Sequence, residues 1–218
     1  MQPVWGIDLG GTKIEGVILK DSQSVEVLHR LREPTEREKG YSHIINQIQL
    51  VVNRLSAASG LSPERVGIGT PGTISPRTGL MKNSNTTCLN DKPFREDVER
   101  QLGIPVRMAN DANCFALSEA MDGAGGGAGV VFGVILGTGV GGGIVVHKRL
   151  IVGANRLTGE WGHNPMPLKG VMAKHRPCYC GYADCVETWL SGPAFARDYQ
   201  DRTGLDCTAI EIAKLAED

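Results

Sequence analysis

Hydrophobic positions in this 218-residue chain change their period along its length, and the changes mark out its elements. Val4 to Leu9 is a short apolar run that ends in Asp8-Leu9-Gly10-Gly11-Thr12-Lys13. Ile14 to Leu19 resumes as a second strand and Val25 to Leu31 offers a third, so a glycine turn joining the first two predicts a hairpin. From about Glu38 to Ala58 the residues Ile44, Ile45, Ile48, Val51, Val52 and Leu55 follow helical spacing, and Gly60 supplies a stop. Arg65 to Gly69 predicts a strand running into Thr70-Pro71-Gly72, followed by a loop through Asn90. Phe94 to Leu102 then reads as a helix, Val106 to Ala109 as a strand, and Ala112 to Met121 as a helix opened by Asn110-Asp111 where a cap belongs.

Asp122 to Gly129 is small, glycine-rich and uncharged after its first residue, which predicts a boundary between an N-terminal lobe, residues 1–121, and a C-terminal lobe, residues 122–218. Behind it the opening pattern returns. Val130 to Leu136 predicts a strand, Gly137 to Gly143 a turn and Ile144 to Val146 a returning strand, which suggests two related halves. Trp189, Phe195 and Tyr199 lie among helical residues, and a last helix is expected from near Ala209 to the end of the chain.

Composition narrows the class. With 41% hydrophobic residues the chain has enough apolar content for a packed core, and a net charge of -1 gives no electrostatic case for nucleic acid. The first residues have no charged and apolar leader pattern, and no apolar run is long enough for a bilayer, so a cytoplasmic protein with no membrane partner is expected. Three of the six cysteines fall within eight positions, which in a reducing compartment favours a metal over disulfides. Cys88, Cys114 and Cys207 read as ordinary thiols.

Asp8 to Lys13 sets a carboxylate at a strand end, two glycines through which backbone N–H groups can approach an anion, and a hydroxyl and an ammonium beside them. The spacing is not that of a Walker loop and no helix follows, so P-loop and Rossmann readings are disfavoured. The plain alternative is a tight glycine hairpin with a chance Asp. A second turn, Gly137-Thr138-Gly139-Val140-Gly141-Gly142, favours phosphate, because two such turns could hold one polyphosphate. Asn110 or Asp111 could simply cap a helix. However, a carboxylate at a strand's carboxyl end in an α/β arrangement is also where a substrate hydroxyl could lose its proton, and Asn110 could cap while Asp111 acts as base.

Cys178, Cys180 and Cys185, spaced C-x-C-x4-C, need one upstream nitrogen to close a tetrahedral zinc site with no position left open, which is structural rather than catalytic. His163 lies 15 residues before Cys178 and His175 only 3 before it, so spacing alone leaves both open and slightly favours His175. Glu160 and Glu187 flank this cluster closely enough to be held rigid for hydrogen bonds from hydroxyls, although solvated surface acids are the commoner fate of glutamate.

Taken in order, Asp8 to Lys13, Gly69-Thr70-Pro71-Gly72, Asn110-Asp111-Ala112-Asn113, Leu136 to Gly142, Gly159-Glu160-Trp161-Gly162-His163 and Cys178-x-Cys180-Gly181-x3-Cys185-x-Glu187 resemble the ROK family of bacterial sugar kinases and repressors from residue 5 to about residue 200. Gly72-Thr73-Ile74-Ser75-Pro76, Lys82-Asn83-Ser84-Asn85, Gly162-His163-Asn164-Pro165 and Pro177 to Gly181 look most like its fructokinase (mannofructokinase) branch. Asn113 to Ala120 is equally similar to the N-acetylglucosamine kinase branch.

The resemblance implies an α/β, actin-like and ribonuclease-H-like two-lobe fold, with sugar and ATP meeting in the cleft and a tendency toward homodimers. It prefers His163 to His175 as the zinc ligand, with Cys178, Cys180 and Cys185. It implies Asp111 as general base, Asn85, Asn110, Glu160, His163 and Glu187 on sugar hydroxyls, and Gly10, Gly11, Thr12, Lys13, Gly137, Thr138 and Gly139 about the phosphates, with Asp8 near Mg2+. Family repressors carry a helix-turn-helix domain ahead of the first hairpin, which here begins almost at Met1, so DNA binding is not expected. Family kinases also continue to a glycine-rich turn that grips adenosine, and none precedes Asp218, so an incomplete C-terminal lobe is expected. The implied activity is ATP-dependent phosphorylation of a hexose at its primary hydroxyl, read first as fructokinase. The alternatives are N-acetylglucosamine kinase, glucokinase or a non-catalytic sugar-binding fragment.

Overall fold

In the computed structural model, residues 2–167 and 175–216 are described. They fall into two compact units, one drawn from Met1–Cys114 with Ala154–Arg156, the other from Phe115–Gly153 with Leu157–Asp218.

The first unit is a five-stranded mixed sheet backed by two helices. β1 (Val4–Leu9) and β2 (Lys13–Leu19) form the expected glycine hairpin, and β3 (Val27–Pro34) extends it antiparallel. The third strand starts later than the apolar run at Val25 suggests, because residues 20–26 form a turn: Asp21 Oδ1 accepts from Gln23 N at 2.8 Å and Ser24 Oγ from Glu26 N at 3.0 Å. α1 (Tyr41–Ser59) begins after a short 3-10 turn at Arg37–Lys39 and ends at Gly60, whose φ of 71° closes the helix through its N–H on Ser56 O. Its apolar stripe, Ile44, Ile45, Ile48, Val51, Val52 and Leu55, is buried with Trp5, Ile7, Leu9, Ile14 and Ile18, each contributing about 1.5–3 kcal/mol when fully covered.

β4 (Val66–Thr70) pairs parallel with β1. A small hairpin absent from the sequence reading, β5 (Thr73–Ile74) and β6 (Met81–Lys82), follows it. α2 (Phe94–Leu102) leads into β7 (Val106–Asn110), parallel to β4, and the strand order is β3-β2-β1-β4-β7. Register brings Asp8 level with Gly69, and Gly69 level with Ala109. The carboxyl ends of all three parallel strands therefore lie together, and α3 (Asp111–Met121) starts there.

In the second unit β8 (Val130–Leu136), β9 (Val140–Val146) and β10 (Arg149–Ile151) form an antiparallel sheet in the order β10-β9-β8. The returning strand is longer than the predicted Ile144 to Val146, because Gly141, Gly142 and Gly143 pair in full with Ile135, Val134 and Gly133. After the cysteine-rich segment come α4 (Glu187–Leu190), α5 (Gly192–Thr203) and α6 (Ala209–Leu215). A Thr208–Glu211 capping box opens α6. Glu217 and Asp218, included in the expected last helix, lie outside the described residues.

The glycine run at 122–129 belongs inside the second unit. Glu119 ties it down, its Oε2 accepting from Ala124 N at 2.9 Å and its carbonyl from Gly125 N at 2.9 Å, so these glycines make an ordered turn after α3. Among the described residues no helix is long and apolar enough to cross a membrane.

Candidate active site

Two carboxylates mark the carboxyl end of the first unit's sheet. Asp8, next to last in β1, has its proton affinity raised, chiefly by burial and then by the charge of Glu15, against the lowering effect of Lys13. Asp111 opens α3 directly after β7. Its carboxyl is likewise raised, first by burial and further by the Asp8 charge, while Ala112 N, donating to Oδ1 at 2.8 Å, works in the opposite sense. Asn110 is buried and its Oδ1 accepts from Asn113 N at 3.0 Å, so it caps the helix and leaves the neighbouring carboxylate to other work. Asn113 is itself buried, and its Oδ1 has no hydrogen-bond partner among the described residues.

The glycine hairpin is closed by Gly10 N on Lys13 O at 3.0 Å, which spends the Gly10 donor inside the turn. The N–H groups of Gly11 and Thr12 bond to nothing among the described residues, and the Thr12 and Lys13 side chains are exposed beside them. Asn85 stands exposed between buried Ser84 and Thr86. Asn90 fixes that loop, its Oδ1 accepting from Ser84 N at 2.9 Å and its Nδ2 donating to Ser84 O at 3.0 Å. The sequence reading passed over Asn90, which looks like any loop asparagine until its partner is known.

The second unit repeats the device. Gly137 N is spent on Gly139 O at 2.9 Å, while the N–H groups of Thr138 and Gly139 bond to nothing among the described residues. Against β9 lies the segment 159–163, with Trp161 Nε1 donating to Gly141 O at 2.9 Å. Gly162 is required there, since a Cβ would meet Val140 O at 2.3 Å. Glu160 follows, half-buried, its N–H on Leu157 O at 3.1 Å. Glu187 opens α4 and reaches the phosphate-type turn, Oε2 accepting from Val140 N at 2.9 Å.

His163, Cys178, Cys180 and Cys185 come together, with one ligand atom of each within 4.8 Å of all the others. Cys178 Sγ is 3.5 Å from His163 Nδ1, and Cys180 Sγ is 3.5 Å from Cys185 Sγ. Zinc–sulfur bonds of about 2.3 Å in a tetrahedron put sulfurs a little under 4 Å apart, so the donor set and its spacing fit zinc. His175 instead pairs with Asp184 at 2.5 Å and is not part of this cluster. The other ring nitrogen of His163, Nε2, meets Tyr179 Oη at 3.0 Å, a partner the sequence reading did not single out. Without metal, burial pushes the Cys185 thiol up to about 12, while the Tyr182 N–H is the main influence lowering Cys180.

Residues 4–218 match the ROK family. The chain belongs to that family. Relatives include the N-acetyl-D-glucosamine kinases of Aliivibrio salmonicida, 36% identical over 98% of this chain and 71% of the relative, and of Haemophilus influenzae, 38% identical over 97% and 70%. Among solved structures, the ROK hexokinase of Thermus thermophilus aligns with a TM-score of 0.77 and 31% identity, covering 99% of this chain and 69% of that one. The ROK glucokinase of Streptomyces griseus, solved with glucose and AMPPNP, aligns with a TM-score of 0.76 and 30% identity, covering 93% and 62%. This ROK chain thus has the α/β, actin-like fold expected of it and spans roughly 60–70% of the length of these relatives. These relatives, named for N-acetyl-D-glucosamine, match the alternative reading better than the fructokinase branch read first.

Proposed function

We propose that this ROK protein phosphorylates N-acetyl-D-glucosamine at its primary hydroxyl with ATP. The observation that carries the chemistry is Asp111: a half-buried carboxylate of raised proton affinity at the end of β7, beside Asp8. Relatives at 35–38% identity over nearly the whole chain support the sugar. Asp111 takes the proton of the hydroxyl as its oxygen bonds to the γ-phosphorus and the bond from that phosphorus to the ADP oxygen breaks. A carboxylate raised toward neutrality is a better base for this step than an ordinary one.

The free N–H groups of Gly11, Thr12, Thr138 and Gly139 suit phosphate oxygens, with Lys13 adding charge. Asn85, Asn110, Glu160 and Glu187 supply acceptors and donors for sugar hydroxyls, and His163 contributes through the Tyr179 hydroxyl on its Nε2. Asp8 offers a hard oxygen for Mg2+, which supplies charge neutralisation when bound. His163, Cys178, Cys180 and Cys185 would hold zinc, which would supply structural order to the loop ahead of Glu187. A homodimer and a cytoplasmic setting remain part of this reading.

A coupled ATP-consumption assay with N-acetylglucosamine, glucose, fructose and mannose tests it. The highest kcat/KM is expected with N-acetylglucosamine. A preference for fructose would return the assignment to the branch that Gly72 to Pro76 and Lys82 to Asn85 resemble, and sugar binding without turnover would make the chain a non-catalytic sugar-binding protein.

A further inference from the structure

The Gly10–Lys13 hairpin is overlaid by a segment that the mechanism above leaves idle. Just after β3, buried Thr35 donates its N–H to Thr12 O at 2.9 Å and its Oγ1 to Gly10 O at 2.7 Å, fixing residues 35–37 onto the hairpin. Glu36 then adopts left-handed backbone, φ 49° and ψ 49°, which is strained for a non-glycine residue. Lys39 Nζ at 2.6 Å and His43 Nε2 at 2.9 Å hold its carboxylate in that bend.

The bend turns Arg37 back over the glycines. Its Nη1 lies 3.2 Å from the point a Cβ on Gly11 would occupy, and Thr86 Oγ1 lies 3.9 Å from the same point. Arg30 and Arg32 pair with Glu15, and Arg54 with Glu33, but the Arg37 guanidinium makes no ion pair or hydrogen bond among the described residues. Thr86 is only 2% exposed, yet its Oγ1 has no partner among the described residues, an arrangement that is destabilising unless a ligand completes it.

We propose that Arg37 and Thr86 form a phosphoryl subsite at Gly11, Arg37 donating to non-bridging oxygens and Thr86 Oγ1 to a further oxygen of the same group. The proposal rests on the kinase reading for the identity of that group, which comes either from the end of ATP or from the sugar phosphate product. An unpaired guanidinium with a fork of donors matches phosphate geometry, and a residue without a side chain at position 11 leaves room for it.

Calorimetry on Arg37→Ala, Arg37→Lys and Thr86→Val, with AMPPNP, ADP, N-acetylglucosamine and its 6-phosphate as probes, tests it. Arg37→Ala is expected to weaken AMPPNP or the sugar phosphate by about tenfold or more while ADP and free sugar stay within about twofold, with partial recovery in Arg37→Lys. Loss confined to AMPPNP assigns the subsite to ATP, and loss confined to the sugar phosphate assigns it to product. Unchanged affinities, or an equal loss for all four probes with a lower melting temperature, would overturn it. Phenylglyoxal labelling of Arg37 in the wild type, read by mass spectrometry with and without AMPPNP or the sugar phosphate, separates the two readings. Protection in a chain that turns over no sugar keeps the subsite and removes the kinase, whereas turnover with no protection by either ligand does the reverse.

Discussion

Glu187 and Val140 are joined by one hydrogen bond, the carboxylate Oε2 accepting the first N–H of β9 at 2.9 Å. The same residue follows Cys185 by two positions, so a single side chain ties the cysteine-rich loop to the turn at Gly137–Gly139. Gly139 allows the approach, since a Cβ there would stand 2.6 Å from Glu187 Oε2. One carboxylate oxygen is therefore engaged by backbone before any sugar arrives.

Replacing Glu187 by Ala should destabilise the protein by about 1.5–3 kcal/mol, the range for a hydrogen bond to a charged group, and speed amide exchange at Val140. Glu187→Gln keeps an acceptor oxygen and should lose less. Equal exchange rates in all three proteins would show that this bond does not hold the turn.

Asp111→Asn should cut turnover by about 10²–10⁴-fold, the usual worth of a positioned proton acceptor. Its effect on stability has the opposite sign. Because folding raises the proton affinity of Asp111, its contribution to stability is present at low pH and is lost as pH rises through the folded pKa. The uncharged amide escapes that loss, so the variant should melt above wild type at neutral pH and converge with it in acid. The acid limb of the wild-type rate profile should also fall above the ordinary aspartate range. A variant less stable at neutral pH would contradict the burial argument.

If the four clustered side chains hold zinc as proposed, elemental analysis should find it bound, and chelation should lower the melting temperature by removing the order it would supply to the loop. Cys180→Ser and His163→Ala should lose zinc, whereas His175→Ala should retain it, since His175 is not among the four clustered ligands. Zinc retained without His163 would remove that nitrogen from the site.

Gly162→Ala should cost about 1–3 kcal/mol or more, because its Cβ would sit 2.3 Å from Val140 O with backbone on both sides unable to yield. A thermal melt unchanged from wild type would mean that the segment 159–163 does not pack on β9 as described.

Period and punctuation in the chain were enough for most of the elements. α2 and β8 run over the residues their apolar pattern marks, and Gly60 stops α1 where a left-handed closing residue is needed. These features are local: a repeat of apolar side chains and a residue without a Cβ act on their own neighbours. The motifs likewise put Asp111 at the end of a strand and three thiolates within reach of one metal.

Tertiary structure decided the rest, because distant partners spend or free each group. Spacing alone could not tell His163 from His175; the fold brings the His163 ring together with the three sulfurs and sets His175 against Asp184. Gly10 and Gly11 read alike in sequence, yet one N–H closes its own turn and the other bonds to nothing among the described residues. Arg37 belongs to no motif in the sequence, and it is the Thr35 bonds to the distant Gly10 and Thr12, with the Glu36 bend beside them, that bring it over the hairpin. A side chain's type fixes what it can bond; the fold fixes what is left for it to bond.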